Sequence, residues 1–305
     1  MTGWELSMSS SQLRSRIIPD RLQPESMVIN AHLKEFLDEK VRFYNRPSFI
    51  ESDPIYIPHL FKRQQDIEIA GLFAAVFAWG QRKTIIKKCT ELLSLMDYAP
   101  YDFIRYHSGR DLSPFKTFRH RTFNATDTLY FIHFLKRYYL EHNSLEHLFT
   151  PPTQPTENLP AIRSQGNPVH SISRQEPIEA ALLNFHTVFF NLPEVPDRTR
   201  KHIPTPARKS TCKRLNMYLR WMVRADRQGV DFGIWKKIKM KDLICPVDIH
   251  VDRIARQLSL IRRKQTDWTT ALELTMNLRN LDPEDPVKYD YALFGMGILE
   301  GKLLP

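Results

Sequence analysis

The chain has 305 residues, 42% hydrophobic and 26% charged, with a formal net charge of +10. That length and apolar content argue against a chain disordered throughout and suffice for one large domain or two small ones. Three scattered cysteines, Cys89, Cys212 and Cys245, argue against a disulfide framework. The absence of any C-x-x-C pair argues against a thiolate zinc site or an iron–sulfur cluster, so no metal and no cofactor is expected.

Only 10 Gly stand beside 18 Phe and many other long apolar residues, which favours helices over a turn-rich β architecture. The 44 Lys and Arg against 34 Asp and Glu suggest an anionic partner. A basic but ordinary enzyme has the same balance, so the placement of the charge matters more than its sum.

Residues 1–28 read as a polar extension without the apolar core of a signal peptide, and the protein is expected to be cytoplasmic. Leu33, Phe36, Leu37, Val41 and Tyr44 recur at helical spacing over 31–44. Residues 46–59, with Pro47, Pro54 and Pro58, read as a loop. Residues 66–79 are apolar nearly all round and predict a buried helix. The longest apolar run, 70–79, is too short to cross a membrane. Gly80-Gln81 interrupts the pattern, and a second helix follows over 83–96, with another over 127–139. Residues 150–177 hold six prolines among Ser, Thr, Gln and Asn, and predict a disordered, solvent-exposed insertion, since helical patterning resumes at Ile178.

Residues 198–214 are the densest basic stretch, with seven Lys or Arg and no acid. Pro204 and Pro206 keep its first part out of regular helix. Ser210 or Thr211 is a good N-cap for the helix that follows, whose core stripe is Leu215, Tyr218, Leu219 and Met222, with Lys213 in the first turn and off that stripe. Beyond Gly229 and Trp235, Pro246 breaks any preceding helix. Asp248 is then the natural N-cap of a helix burying Val251, Ile254, Ala255 and Leu258. Two more helices are predicted over 268–278 and 287–299, around the turn at Asp282 to Pro286.

The run Pro246-Val247-Asp248-x-His250-Val251-x-Arg253-Ile254-Ala255-Arg256-x-Leu258 resembles the segment bearing the catalytic aspartate in the helix-hairpin-helix DNA glycosylase superfamily, in its endonuclease III-like and archaeal 8-oxoguanine glycosylase-like members. Residues 72–93 are similar in pattern to that superfamily's early helix pair, whose joining turn carries a Gln close to DNA; by position it is Gln81. The lyase lysine of the superfamily corresponds to Lys213, 35 residues before Asp248, a separation nearer the archaeal enzymes'. Pro206 to Thr211 stands where the family carries the G-x-G of its hairpin, and the four-cysteine cluster of endonuclease III-like members is missing. Over 31–301, apart from the insertion, the chain also resembles a bacterial family of unassigned function.

The resemblance implies an all-α, two-lobed helical fold with a cleft between the lobes. Residues 66–260 form the central lobe, and 29–65 with 261–305 form the other. It implies a monomer that binds double-stranded DNA, does not enter membranes, and flips out and excises a damaged base. Asp248 would stabilise the positive sugar, and Lys213, as nucleophile, would add abasic-site lyase activity. Gln81, Arg198, Arg200, Lys201, Arg208, Lys209, Ser210, Thr211 and Arg214 would contact DNA. The lysine spacing points to oxidised purines. Each residue also has a plainer reading: Asp248 as a helix cap, Lys213 as a solvated lysine, Gln81 as a turn residue, and Trp79, Trp221 and Trp235 as core rather than base-stacking side chains. His250 and Asp252, two apart on a helix, point apart and do not make a metal pair. Two alternatives remain: a non-catalytic nucleic-acid-binding module on the same fold, and an enzyme of free nucleosides, which the basic stretch disfavours.

Overall fold

The computed structural model describes residues 31–150 and 176–300; the 1–28 extension and nearly all of the 150–177 insertion lie outside them. Among the described residues all regular structure is helical, and the one β-like contact is an isolated bridge between His120 and Phe123. The α-helices are α1 (Ala31–Tyr44), α2 (Gln64–Phe77), α3 (Arg82–Ser94), α4 (Pro100–Tyr106), α5 (Ala125–Glu141), α6 (Pro177–Phe189), α7 (Lys213–Val223), α8 (Ile249–Gln257), α9 (Trp268–Leu281) and α10 (Tyr289–Gly295). No helix among the described residues is long and apolar enough to cross a membrane.

Helix α2 is central, as its all-round apolarity predicts: every residue from Ile67 to Phe77 is buried. It packs against α3, α4 and α7. Gly71 permits the close approach of α7, because a Cβ there would lie 2.9 Å from Met222 Cε and 3.2 Å from Tyr218 Cε2. The one charge buried within α2, Glu68, is saturated by donors from elsewhere in the fold. Tyr139 Oη (2.8 Å), Ser144 Oγ (2.6 Å), the Leu145 N–H (2.9 Å) and Trp235 Nε1 (2.8 Å) all donate to its carboxylate. Such saturation offsets the cost of removing a carboxylate from water.

The first and last described α-helices meet. Helix α1 packs against α10, and Lys288 bridges Asp38 (3.0 Å) and Asp282 (2.7 Å). Helix α7 is tied to this region by a buried charge network: Arg220 pairs with Asp231 (3.3 Å) and Asp290, and Arg224 with Asp231 (3.0 Å) and Asp285 (2.9 Å).

Several local expectations need correction. The 46–59 segment is a series of 3-10 turns, with Pro47, Pro54 and Pro58 each at the start of one, where the missing N–H has no cost. Helix α4, begun by Pro100, was not anticipated. The last helix does not run evenly over 287–299: a 3-10 turn at Pro286–Lys288 leads into α10, and a π-helical turn, Met296–Glu300, ends it. Neither Ser210 nor Thr211 is the N-cap of α7. Cys212 holds that position in the left-handed region (φ 51°) and makes no side-chain cap bond. The Ser210 hydroxyl instead accepts the Cys212 N–H (3.1 Å), and the Thr211 hydroxyl is engaged elsewhere.

Candidate active site

Helix α2 stops at Phe77, and the chain turns through Trp79 and Gly80 into α3. Gly80 has φ +109°, a conformation that strains any residue with a Cβ, and the Arg121 guanidinium lies close by. Arg121 in turn stacks over the Trp79 ring at 4.5 Å. This turn forms one wall of a cleft of about 540 Å³.

Lys213, the first residue of α7, lines the same cleft with its ammonium 5.9 Å from the centre of the Phe294 ring of α10. Arg82, at the start of α3, lies over that ring at 5.0 Å. The partner of Lys213 is Asp248, whose Oδ2 is 3.8 Å from its Nζ; each side chain is 20% exposed. The other oxygen, Oδ1, accepts the backbone N–H groups of His250 (2.9 Å) and Val251 (3.0 Å) and so caps α8. Cap and cleft-facing acid are therefore the same side chain, one role on each oxygen.

A second carboxylate faces the cleft and was not singled out from the sequence. Asp53 is 4% exposed and caps the 3-10 turn Pro54–Tyr56, its Oδ1 accepting the Ile55 N–H at 3.1 Å. Its Oδ2 has no hydrogen-bond partner among the described residues. Burial pushes its pKa above the ordinary carboxylate value, against the opposing pull of the Ile55 N–H and the charges of Arg82, Arg220 and Lys213. Arg82 and Phe294 were likewise missed. No local pattern marks these three; only the packing of the 46–60 turns and of α10 against α8, with the Arg220–Asp290 pair joining α7 to α10, brings them to one place.

The other predicted site residues divide into two groups. Lys201, Arg208 and Lys209 are exposed. Gln81 is exposed too, at the N-cap of α3, with no side-chain cap bond. The remainder are engaged by the fold. Arg198 donates to the Thr122 carbonyl (2.8 Å) and lies 3.3 Å from Asp127. Arg200 stacks over Phe190 at 5.0 Å and approaches Asp197. Thr211 Oγ1 donates to the Val247 carbonyl. Arg214 donates to the Val76 and His202 carbonyls, and burial pulls its pKa down to about 10, so the C-terminal end of α2 rests on it.

Asp127, itself fully buried, holds the near end of the basic stretch. It accepts the Thr199 hydroxyl (2.8 Å) and the Asn124 N–H (2.9 Å), and His202 lies 3.3 Å away. Burial pushes Asp127 up, but His202 and these donors outweigh it and hold the carboxyl below its ordinary range. Trp221 and Trp235 are core residues, whereas Trp79 is half-buried and lines the cleft. His250 approaches the Gly297 carbonyl and Asp252 pairs with Arg256. Among the described residues no cluster of His, Cys, Asp and Glu suits a metal ion, and the three cysteines are free and buried.

Residues 53–299 match the model of a family described as protein of unknown function (DUF2400). No curated protein and no solved structure matches the chain.

Proposed function

We propose that this chain, which belongs to the DUF2400 family, is a DNA N-glycosylase of the helix-hairpin-helix type with abasic-site lyase activity. The observation that carries the reading is the approach of Lys213 Nζ to Asp248 Oδ2 at 3.8 Å on the wall of one cleft, across 35 residues of sequence. A lysine and an acid within reach of one sugar ring are what nucleophilic displacement at C1′ requires. A volume of about 540 Å³ accommodates an extruded nucleotide.

In this reading Asp248 takes a proton from Lys213 as Nζ forms its bond to C1′. The pair of electrons in the C1′–base bond leaves with the base. Before that proton is transferred, the Asp248 charge stabilises the positive sugar that develops as the bond to the base stretches, and the cap bonds on its Oδ1 hold Oδ2 in place at no reorganisation cost. Opening of the sugar at O4′ then gives the protonated Schiff base. Loss of the C2′ proton expels the 3′-phosphate and cuts the strand. Lys201, Arg208 and Lys209 contact the phosphates of double-stranded DNA, Gln81 lies against the duplex at the α2–α3 turn, and the protein works as a monomer. The cleft is the seam between a central lobe, 66–260, and a second lobe built from the two chain ends; the packing of α1 on α10, and Phe294 of α10 on the cleft wall, support that division.

The test is incubation of the purified protein with duplexes carrying oxidised purines, oxidised pyrimidines, alkylated purines, uracil or an abasic site, followed by chromatography of the released base. Release from at least one lesion is expected. DNA binding with no release from any of them returns the protein to the non-catalytic alternative.

A further inference from the structure

A buried carboxylate with one free oxygen in a cleft has few structural reasons to be there. Oδ1 of Asp53 suffices as a cap for its 3-10 turn, and an Asn or Ser would cap it as well without bringing a second acid into the cleft that Asp248 lines. We propose that Asp53 is the general acid of the cleft, its carboxyl proton passing from Oδ2 to a nitrogen of the departing base. The assignment rests on the glycosylase reading and adds to it the fate of the leaving group.

The step starts from the protonated form of Asp53, which burial favours, with Lys213 and Asp248 paired. As the C1′–N bond breaks, its electron pair goes to the base nitrogen, which takes the Asp53 proton, so the base leaves neutral. Lys213 Nζ passes a proton to Asp248 and bonds to C1′. Asp53 is left as a carboxylate, which the positive charges of Arg82, Arg220 and Lys213 favour, and regains its proton from solvent after the base departs. The two acids sit in different surroundings, one buried and one paired with a lysine, which is how two carboxyl groups take opposite roles in one site.

Single-turnover base release tests this, using wild type and Asp53→Asn between about pH 5 and pH 9 on two duplexes. One carries 8-oxoguanine, a neutral leaving base. The other carries 7-methylguanine, which already bears its positive charge and needs no proton. For 8-oxoguanine the wild-type rate should fall about tenfold per pH unit on its alkaline limb, and Asp53→Asn should be at least about 100-fold slower at low pH and lack that limb. For 7-methylguanine the variant should stay within about threefold of wild type. An Asp53→Asn protein that keeps the alkaline limb, or slows both leaving bases alike, overturns the assignment. Thermal melting checks that the variant folds. If it does not, the wild-type profiles decide: a limb with 8-oxoguanine alone supports general acid catalysis, and the same limb with both bases contradicts it. A wild-type protein that releases no base from either duplex or from the wider lesion panel removes the glycosylase reading and this assignment with it.

Discussion

Thr211 Oγ1 donates to the backbone carbonyl of Val247 at 3.2 Å. The two residues stand just before Lys213 and Asp248, so one hydrogen bond latches the segment that presents the lysine to the segment that presents the acid. Thr211→Val keeps the shape and removes the donor. It should cost about 1 kcal/mol of stability, read as a urea midpoint. Base release should fall on the order of tenfold, because a nucleophile displaced by a fraction of an ångström loses much of its advantage. Equal loss of stability with unchanged release would mean that the latch does not position the pair.

Asp248 caps α8, and substitution separates that role from the catalytic one proposed for it. Asp248→Asn retains an oxygen for the His250 and Val251 N–H groups but removes the charge. Its melting temperature should stay near wild type while base release drops by about 100-fold or more. Asp248→Ala loses the cap as well and should be less stable by a further ~1 kcal/mol. If the Asn variant releases base at the wild-type rate, Asp248 is a cap alone.

The Asp127 carboxyl, held below its ordinary pKa of 3.8, anchors the 197–202 turn. Because its folded pKa is depressed, its stabilisation is present above pH 3.8 and is lost as pH falls through the lower folded value. Asp127→Asn should cost about 2 kcal/mol at neutral pH through the charge-assisted hydrogen bonds weakened around Thr199 and Asn124. The gap between variant and wild type should narrow on acidification. Denaturant midpoints at several pH values check both statements, and a gap that widens toward acid would contradict the sign.

The exposed and the engaged basic residues should respond differently to substitution. Lys201→Gln, Arg208→Gln and Lys209→Gln should each lower duplex affinity alike for all sequences and reduce the slope of log affinity against log salt by about 1. Arg214→Gln should leave that slope nearly unchanged and lower stability instead, since it frees the Val76 and His202 carbonyls. Fluorescence anisotropy over a salt series, with thermal melts, separates the two groups.

What could be read from the sequence was what local pattern controls. The all-round apolarity of 66–79 marked the central helix, and Pro-Val-Asp before an apolar stripe marked Asp248 as the cap of α8. The place of Lys213 beside it came only through resemblance, because 35 residues of intervening chain carry no spacing rule. The cap of α7 was misplaced for the same reason: the Thr211 hydroxyl is taken by Val247, a partner 36 residues away. Within the basic run, Arg214 and Arg208 look alike in sequence, yet one supports the end of α2 and the other is exposed. Asp53 was hidden among prolines, and nothing near it in sequence indicates that its turn borders the cleft.

In the proposed mechanism Lys213 attacks C1′ with Asp248 beside it. Borohydride trapping on lesion-bearing duplexes reads that bond directly, since reduction of the Schiff base leaves protein and DNA covalently joined. Wild type should give a trapped complex and a cut strand on the lesion it processes. Lys213→Gln should lose both together while still binding the duplex with an affinity changed only as for one phosphate contact. A Lys213→Gln protein that is trapped as well as wild type, or a wild type that releases base but is never trapped, would contradict the account.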